Sequence, residues 1–70
     1  HKTGRLGPAI RDYEQALQFS PSDKRLYLRL GVAYFESGNV ELAKMHLEKA
    51  SQLGSEEARR LLASGLEQGR

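Results

Sequence analysis

Apolar residues along the chain recur at helical spacing, three and four apart, in four stretches separated by short polar or glycine-containing breaks. The first stretch is predicted as a helix from Pro8 to about Phe19. Gly7-Pro8 supplies a proline for the first helical position, where the missing N–H costs nothing, and Ser20-Pro21 ends the run. Its inward face is Ala9, Tyr13, Ala16 and Leu17. A second helix, about Lys24 to Ser37, follows Asp23, a capping carboxylate, and carries the stripe Tyr27, Leu30, Gly31, Tyr34. Gly38 suits the left-handed turn that closes it. Asn39 then caps a third helix, about Val40 to Leu53, with Ala43, Leu47 and Ala50 inward. Gly54 stops that helix. Ser55 caps a fourth, about Glu56 to Gln68, whose two leading acids suit the positive end of its dipole.

Every break is short, so consecutive helices are expected to run antiparallel. The fold class that follows is all-α, an antiparallel helix-turn-helix solenoid of about four helices. Few Val, Ile or Thr residues and no alternating apolar run compete for strand.

The pattern also repeats. A shift of 34 residues places Gly4 on Gly38, Ala9 on Ala43, Glu14 on Glu48, Ala16 on Ala50 and Gln18 on Gln52, with Tyr13 over Leu47 and Phe19 over Leu53. Downstream it carries Arg25 onto Arg59, Leu28 onto Leu62 and Gly31 onto Gly65. A fixed period of this length is the mark of stacked helix pairs.

The residues within that period resemble the tetratricopeptide repeat. Tyr27-x-x-Leu30-Gly31-x-x-Tyr34, followed by Ala43-x-x-x-Leu47 and Ala50, is similar to the family's aromatic, Leu-Gly, Tyr, Ala, aromatic and Ala positions. Ala9-x-x-x-Tyr13-x-x-Ala16 and Pro21 resemble the preceding half. Two positions depart from the pattern: Tyr27 stands where the family has tryptophan, and Ser55 where it has proline. The stretch from Leu47 to Ala58 is also similar to Sel1-like repeats, whose period is longer than 34. The resemblance divides the chain into residues 1–23, the second helix of a preceding repeat, residues 24–57, one complete repeat, and residues 58–70, a capping helix. The cap follows from Ser64 and Gln68, polar residues standing where a full repeat has Leu30 and Tyr34. On this reading the array ends near Arg70 and further repeats precede His1. An opening without methionine or a signal-like apolar stretch fits a piece of a longer protein and leaves the compartment open.

Small residues at Gly31, Ala43 and Ala50 allow close helix approach, while Tyr27, Leu30, Tyr34 and Leu47 fill the space, and Ala9, Tyr13 and Ala16 do the same one half repeat earlier. In the family the first helix of each pair lines a concave groove that receives partner segments. The resemblance therefore implies a groove formed by Arg25, Leu28, Arg29, Val32, Phe35 and Glu36, extended by Arg59, Leu62 and Leu66. Leu28, Val32 and Phe35 lie outside the core stripe, so they are free either to anchor an apolar or amphipathic peptide with acidic groups or to pack against the neighbouring repeat's first helix. Two functions follow from these alternatives: a non-enzymatic scaffold that binds a peptide or helix of a partner, and a structural spacer whose repeats mainly stack on one another. A family variant that clamps a terminal carboxylate needs donors where this chain has Leu28 and Val32. The asparagine ladder of sugar-transferase repeats is missing too, since Asn39 is the only asparagine and sits at a turn.

Composition narrows the chemistry. The chain has 70 residues, 39% hydrophobic and 29% charged, so its core is thin. There is no cysteine for a disulfide or a thiolate metal site. No apolar run approaches the ~20 residues of a membrane helix, and the chain is expected to be soluble. Eleven Lys and Arg against nine Asp and Glu leave a net charge of +2 with alternating signs, and the densest basic stretch is Lys24, Arg25 and Arg29. With one aromatic and mixed charge in the groove, nucleic acid is not the expected partner. His46, between Met45 and Leu47, has no second ligand at metal spacing and is expected at the surface. Gly4 and Gly7 lack the strand and lysine of a phosphate loop. Neither cofactor nor catalysis is implied. The opening helix lacks the partner helix of its own repeat, so its Ile10, Tyr13 and Leu17 are expected to seek cover, and the chain to self-associate.

Overall fold

The computed structural model describes the backbone of residues 2–64 and the side chains of residues 7–64. Four helices follow one another: α1 Lys2–Phe19, α2 Lys24–Glu36, α3 Val40–Gln52 and α4 Glu56–Ser64. Each packs on the next in the chain, most extensively α2 on α3, and no strand occurs among the described residues. The architecture is the all-α helical solenoid that the spacing predicts.

α1 begins earlier than the sequence suggests, with Pro8 inside it instead of at its first position. A proline's fixed φ is helical, and the hydrogen bond it removes at residue 8 is the single one to the carbonyl of Gly4, close enough to the start for the helix to continue through it. The caps are otherwise as the residue types require. Asp23 accepts from the Arg25 N–H at 3.0 Å and Asn39 from the Leu42 N–H at 3.3 Å. Ser55 Oγ accepts from the Ala58 N–H at 3.1 Å.

The two helix ends at α2 and α3 share one geometry. Gly38 and Gly54 have φ of 94° and 107°. Asn39 N–H donates to the Tyr34 carbonyl at 2.8 Å and Gly38 N–H to Phe35 at 3.0 Å, while Ser55 N–H donates to Ala50 at 2.9 Å and Gly54 N–H to Ser51 at 3.0 Å. These paired bonds form the Schellman closure, which needs a residue tolerant of positive φ. α1 has no glycine at its end and turns through Ser20–Asp23 instead, with Asp23 N–H donating to the Ser20 carbonyl at 3.1 Å. The glycine closure lets Ser55 cap α4 at once, so α4 starts two residues earlier in the 34-residue register than α2.

The core is small, as the chain length requires. Leu30, Ala43, Leu47, Ala50 and Ala58 are fully buried and Ala33 nearly so. Tyr27, Leu28, Leu61 and Leu62 pack partly buried against Leu47, Ala50 and Ala58. Leu30 and Leu47 are the two large side chains at its centre. Burying each is worth about 1.5–3 kcal/mol. Gly31 is buried beside them, and Tyr27 and Tyr34 flank the stripe half-buried.

Candidate interaction cleft

α1 is fastened to α2 at the polar edge of the stripe. Tyr34 is one residue outside the Leu30 to Ala33 turn, so its ring packs while its hydroxyl reaches out, donating to Glu14 Oε2 at 2.7 Å. The carboxylate acceptor, with burial and the like charge adding to it, raises the Tyr34 pKa above the ordinary tyrosine value. A second tyrosine fixes the loop before α2: the Tyr27 hydroxyl donates to the Pro21 carbonyl at 3.1 Å.

With α1 held in this way, a cleft of about 410 Å³ opens beside α2. Ala9 and Tyr13 of α1 form one wall, Leu28, Val32 and Ala33 of α2 the floor, and Arg25, Arg29, Glu36 and the α4 residue Glu57 the charged rim. The helix period explains the arrangement: residues 25, 29, 32 and 36 lie three or four apart on one face of α2, opposite the face that carries Leu30. The rim charges are solvent-exposed. Arg25 Nε approaches Asp23 Oδ1 at 4.0 Å, with 79% of the arginine side chain exposed. A contact that open and that long adds little stability.

Of the groove residues inferred from the sequence, Arg25, Leu28, Arg29, Val32 and Glu36 line this cleft together. Leu28 does two things, since it also packs against the core. Phe35 is 39% exposed and does not line the cleft. It stands seven residues from Leu28, two turns further along α2. Arg59 is exposed outside the cleft, and Leu62 packs on the core instead of facing the groove. Leu66 lies outside the described residues.

Four lining residues were not foreseen as such, the buried Ala33 among them. Ala9 and Tyr13, read as packing residues, face the cleft half-buried. Glu57 reads as a dipole-stabilising residue, and its entry into the rim depends on the early start of α4.

His46 is half-buried, not at the surface as its neighbours Met45 and Leu47 imply. Its Nδ1 donates to the Leu42 carbonyl at 2.9 Å, and its ring centroid lies 5.1 Å from that of Tyr34 and 6.1 Å from that of Tyr27. Tilted aromatic contacts at these distances are favourable packing, so His46 closes the tyrosine edge of the stripe. A smaller hollow of about 230 Å³ adjoins it, lined by Tyr27, Met45, His46 and Lys49. Among the described residues no three His, Cys, Asp or Glu side chains gather at metal-binding distance, and no helix is long and apolar enough to cross a membrane.

The chain is similar to two family models, one described as TPR repeat over residues 1–38 and one as tetratricopeptide repeat over residues 24–54. No curated protein and no solved structure matches it.

Proposed function

The chain belongs to the tetratricopeptide-repeat family, and from that premise we propose that it binds a peptide or helix segment of a partner protein in the cleft beside α2. Repeats of this family are generally protein–protein interaction modules and typically non-enzymatic scaffolds. In this reading residues 24–57 are the complete repeat, residues 1–23 bring the second helix of the one before, and residues 58–70 form the cap.

The observation that carries the proposal is the make-up of the cleft. An apolar floor of Leu28, Val32 and Ala33 is bounded by Tyr13 and ringed by four charged side chains. Apolar surface with a few placed polar groups is what a peptide site requires. Val32 is the residue to test, because it lines the cleft without belonging to the buried core.

Binding of a peptide library to the wild-type chain, to Val32→Asp and to Arg25→Ala is the experiment. A loss of about tenfold or more in Val32→Asp is expected, since a carboxylate would be placed on the apolar floor. Arg25→Ala is expected to weaken acidic peptides about two- to fivefold. Equal binding by all three proteins would overturn the assignment. The spacer reading draws on Leu28, part of whose surface serves packing against the Leu47, Ala50 and Ala58 cluster; it predicts that equality.

A further inference from the structure

We propose that the cleft selects a bipolar peptide, an extended segment with an acidic and a basic side chain about three to five residues apart on either side of an apolar centre. This rests on the groove reading above and adds the order of charge.

The first ground is that, beyond its Asp23 cap, α2 carries the charges of its first and last turns against its own dipole. Lys24 and Arg25 stand in its first turn, which has no acid, and Glu36 closes its last turn, which has no base. A helix is stabilised by the opposite arrangement. α3 and α4 have it: Glu41 opens α3 and Lys49 lies in its last turn, and Glu56 and Glu57 open α4. Of these three helices, the exception is the one that supplies the cleft floor.

The second ground is that the cleft charges have no partners on their own helix. Arg29 has Arg25 four residues before it, a like charge, and Val32 and Ala33 three and four residues after it. Glu36 has Ala33 and Val32 at the same spacings before it. Arg25 approaches Asp23 at 4.0 Å and lines the same cleft as the acid Glu57. Among the described residues Arg29 and Glu36 form no ion pair. Arg29 is therefore the principal site for a ligand acid, and Glu36 for a ligand base.

The third ground is distance. Along the helix, Glu36 stands about 10 Å from Arg29 and about 16 Å from Arg25 at 1.5 Å per residue, with Val32 about one turn from both Arg29 and Glu36. An extended peptide rises about 3.3 Å per residue and covers that span in about three to five residues. A segment with its apolar side chains over Val32 thus brings its two ends to opposite charges.

The test uses the 70-residue chain and three fluorescent peptides with the same two-residue apolar centre, so that the end charges stand three residues, about 10 Å, apart, ending in acid and base, acid and acid, or base and base. At low salt the acid-and-base peptide is expected to bind about three- to tenfold tighter than the other two, and the advantage to shrink as salt is raised. Arg29→Glu is expected to move the preference to the doubly basic peptide and Glu36→Lys to the doubly acidic one. The double variant R29E/E36K is expected to restore the bipolar preference. Glu36→Lys is also expected to raise the thermal midpoint by about 2–6 °C, because it corrects the dipole; a fall would overturn the dipole argument. If all three peptides bind, Val32→Asp abolishes binding and neither reversal changes the ranking, the charge order is wrong and the groove reading stands. If none binds at about 1 mM and Val32→Asp changes nothing, both are wrong.

Discussion

A Cβ placed on Gly31 would stand 2.6 Å from Cγ of Leu47 and 2.7 Å from its Cδ2, so α2 and α3 meet at a distance that only a glycine permits. Alanine would gain about 1 kcal/mol in helix propensity. The contact it creates is with the buried heart of the leucine, which is enclosed and cannot swing away, and overpacking of this kind costs about 1–3 kcal/mol. Gly31→Ala is therefore expected to lower the thermal midpoint, and Leu47→Ala by more, about 2–5 kcal/mol. Calorimetry or circular dichroism melts of the two variants check both, and a midpoint raised by Gly31→Ala would show that the helices separate freely.

The Tyr34 hydroxyl and Glu14 join α1 to the rest of the chain. Tyr34→Phe is expected to cost about 0.5–1.5 kcal/mol, and the effects of Tyr34→Phe and Glu14→Gln to be less than additive in a double-mutant cycle. The pH dependence has a definite sign. The folded-state pKa of Tyr34 is raised, so the folded state favours the neutral phenol. The stabilisation is complete below the ordinary tyrosine value near 10 and is lost as pH rises through the higher folded value. Melts between pH 8 and pH 11, approximate limits set by that titration, should fall more steeply at the alkaline end for wild type than for Tyr34→Phe. Parallel curves would contradict the bond.

The α3–α4 connection depends on two neighbouring residues with separate jobs. Gly54 has a φ of 107°, where a side chain costs about 1–2 kcal/mol. Ser55 is buried and accepts the Ala58 N–H, so Ser55→Ala is expected to cost about 0.5–2 kcal/mol. Gly54→Asn should be milder than Gly54→Ala, because asparagine tolerates the left-handed region. Urea titrations of the three variants give the ranking.

The apolar residues of α1 offer a test of association. Ile10, Tyr13 and Leu17 are half-buried, and Phe19 is 88% exposed. Self-association through this helix predicts a mass in multi-angle light scattering that rises with concentration and falls back to the monomer in Ile10→Lys/Leu17→Lys. A monomer at every concentration in the wild type would refute it.

What the sequence determined by itself is local or periodic. Caps and closing glycines act within one turn, so Asp23, Asn39, Ser55, Gly38 and Gly54 announce the helix ends directly. A 34-residue period preserves which face is buried, so Leu30, Ala43, Leu47 and Ala50 could be read as core without coordinates. Five cleft residues on α2, Arg25, Leu28, Arg29, Val32 and Glu36, are among those that the family resemblance implies. What only the tertiary structure decided depends on the relative placement of helices. Leu62 packs on the core only, whereas Leu28, its counterpart one period earlier, packs there and also lines the cleft. Glu57 reaches the rim because α4 starts early, and His46 is drawn between two tyrosines from another helix. Spacing along one helix fixes the direction in which a side chain points. Whether it meets a neighbouring helix there, or open space, is set by how the helices are packed.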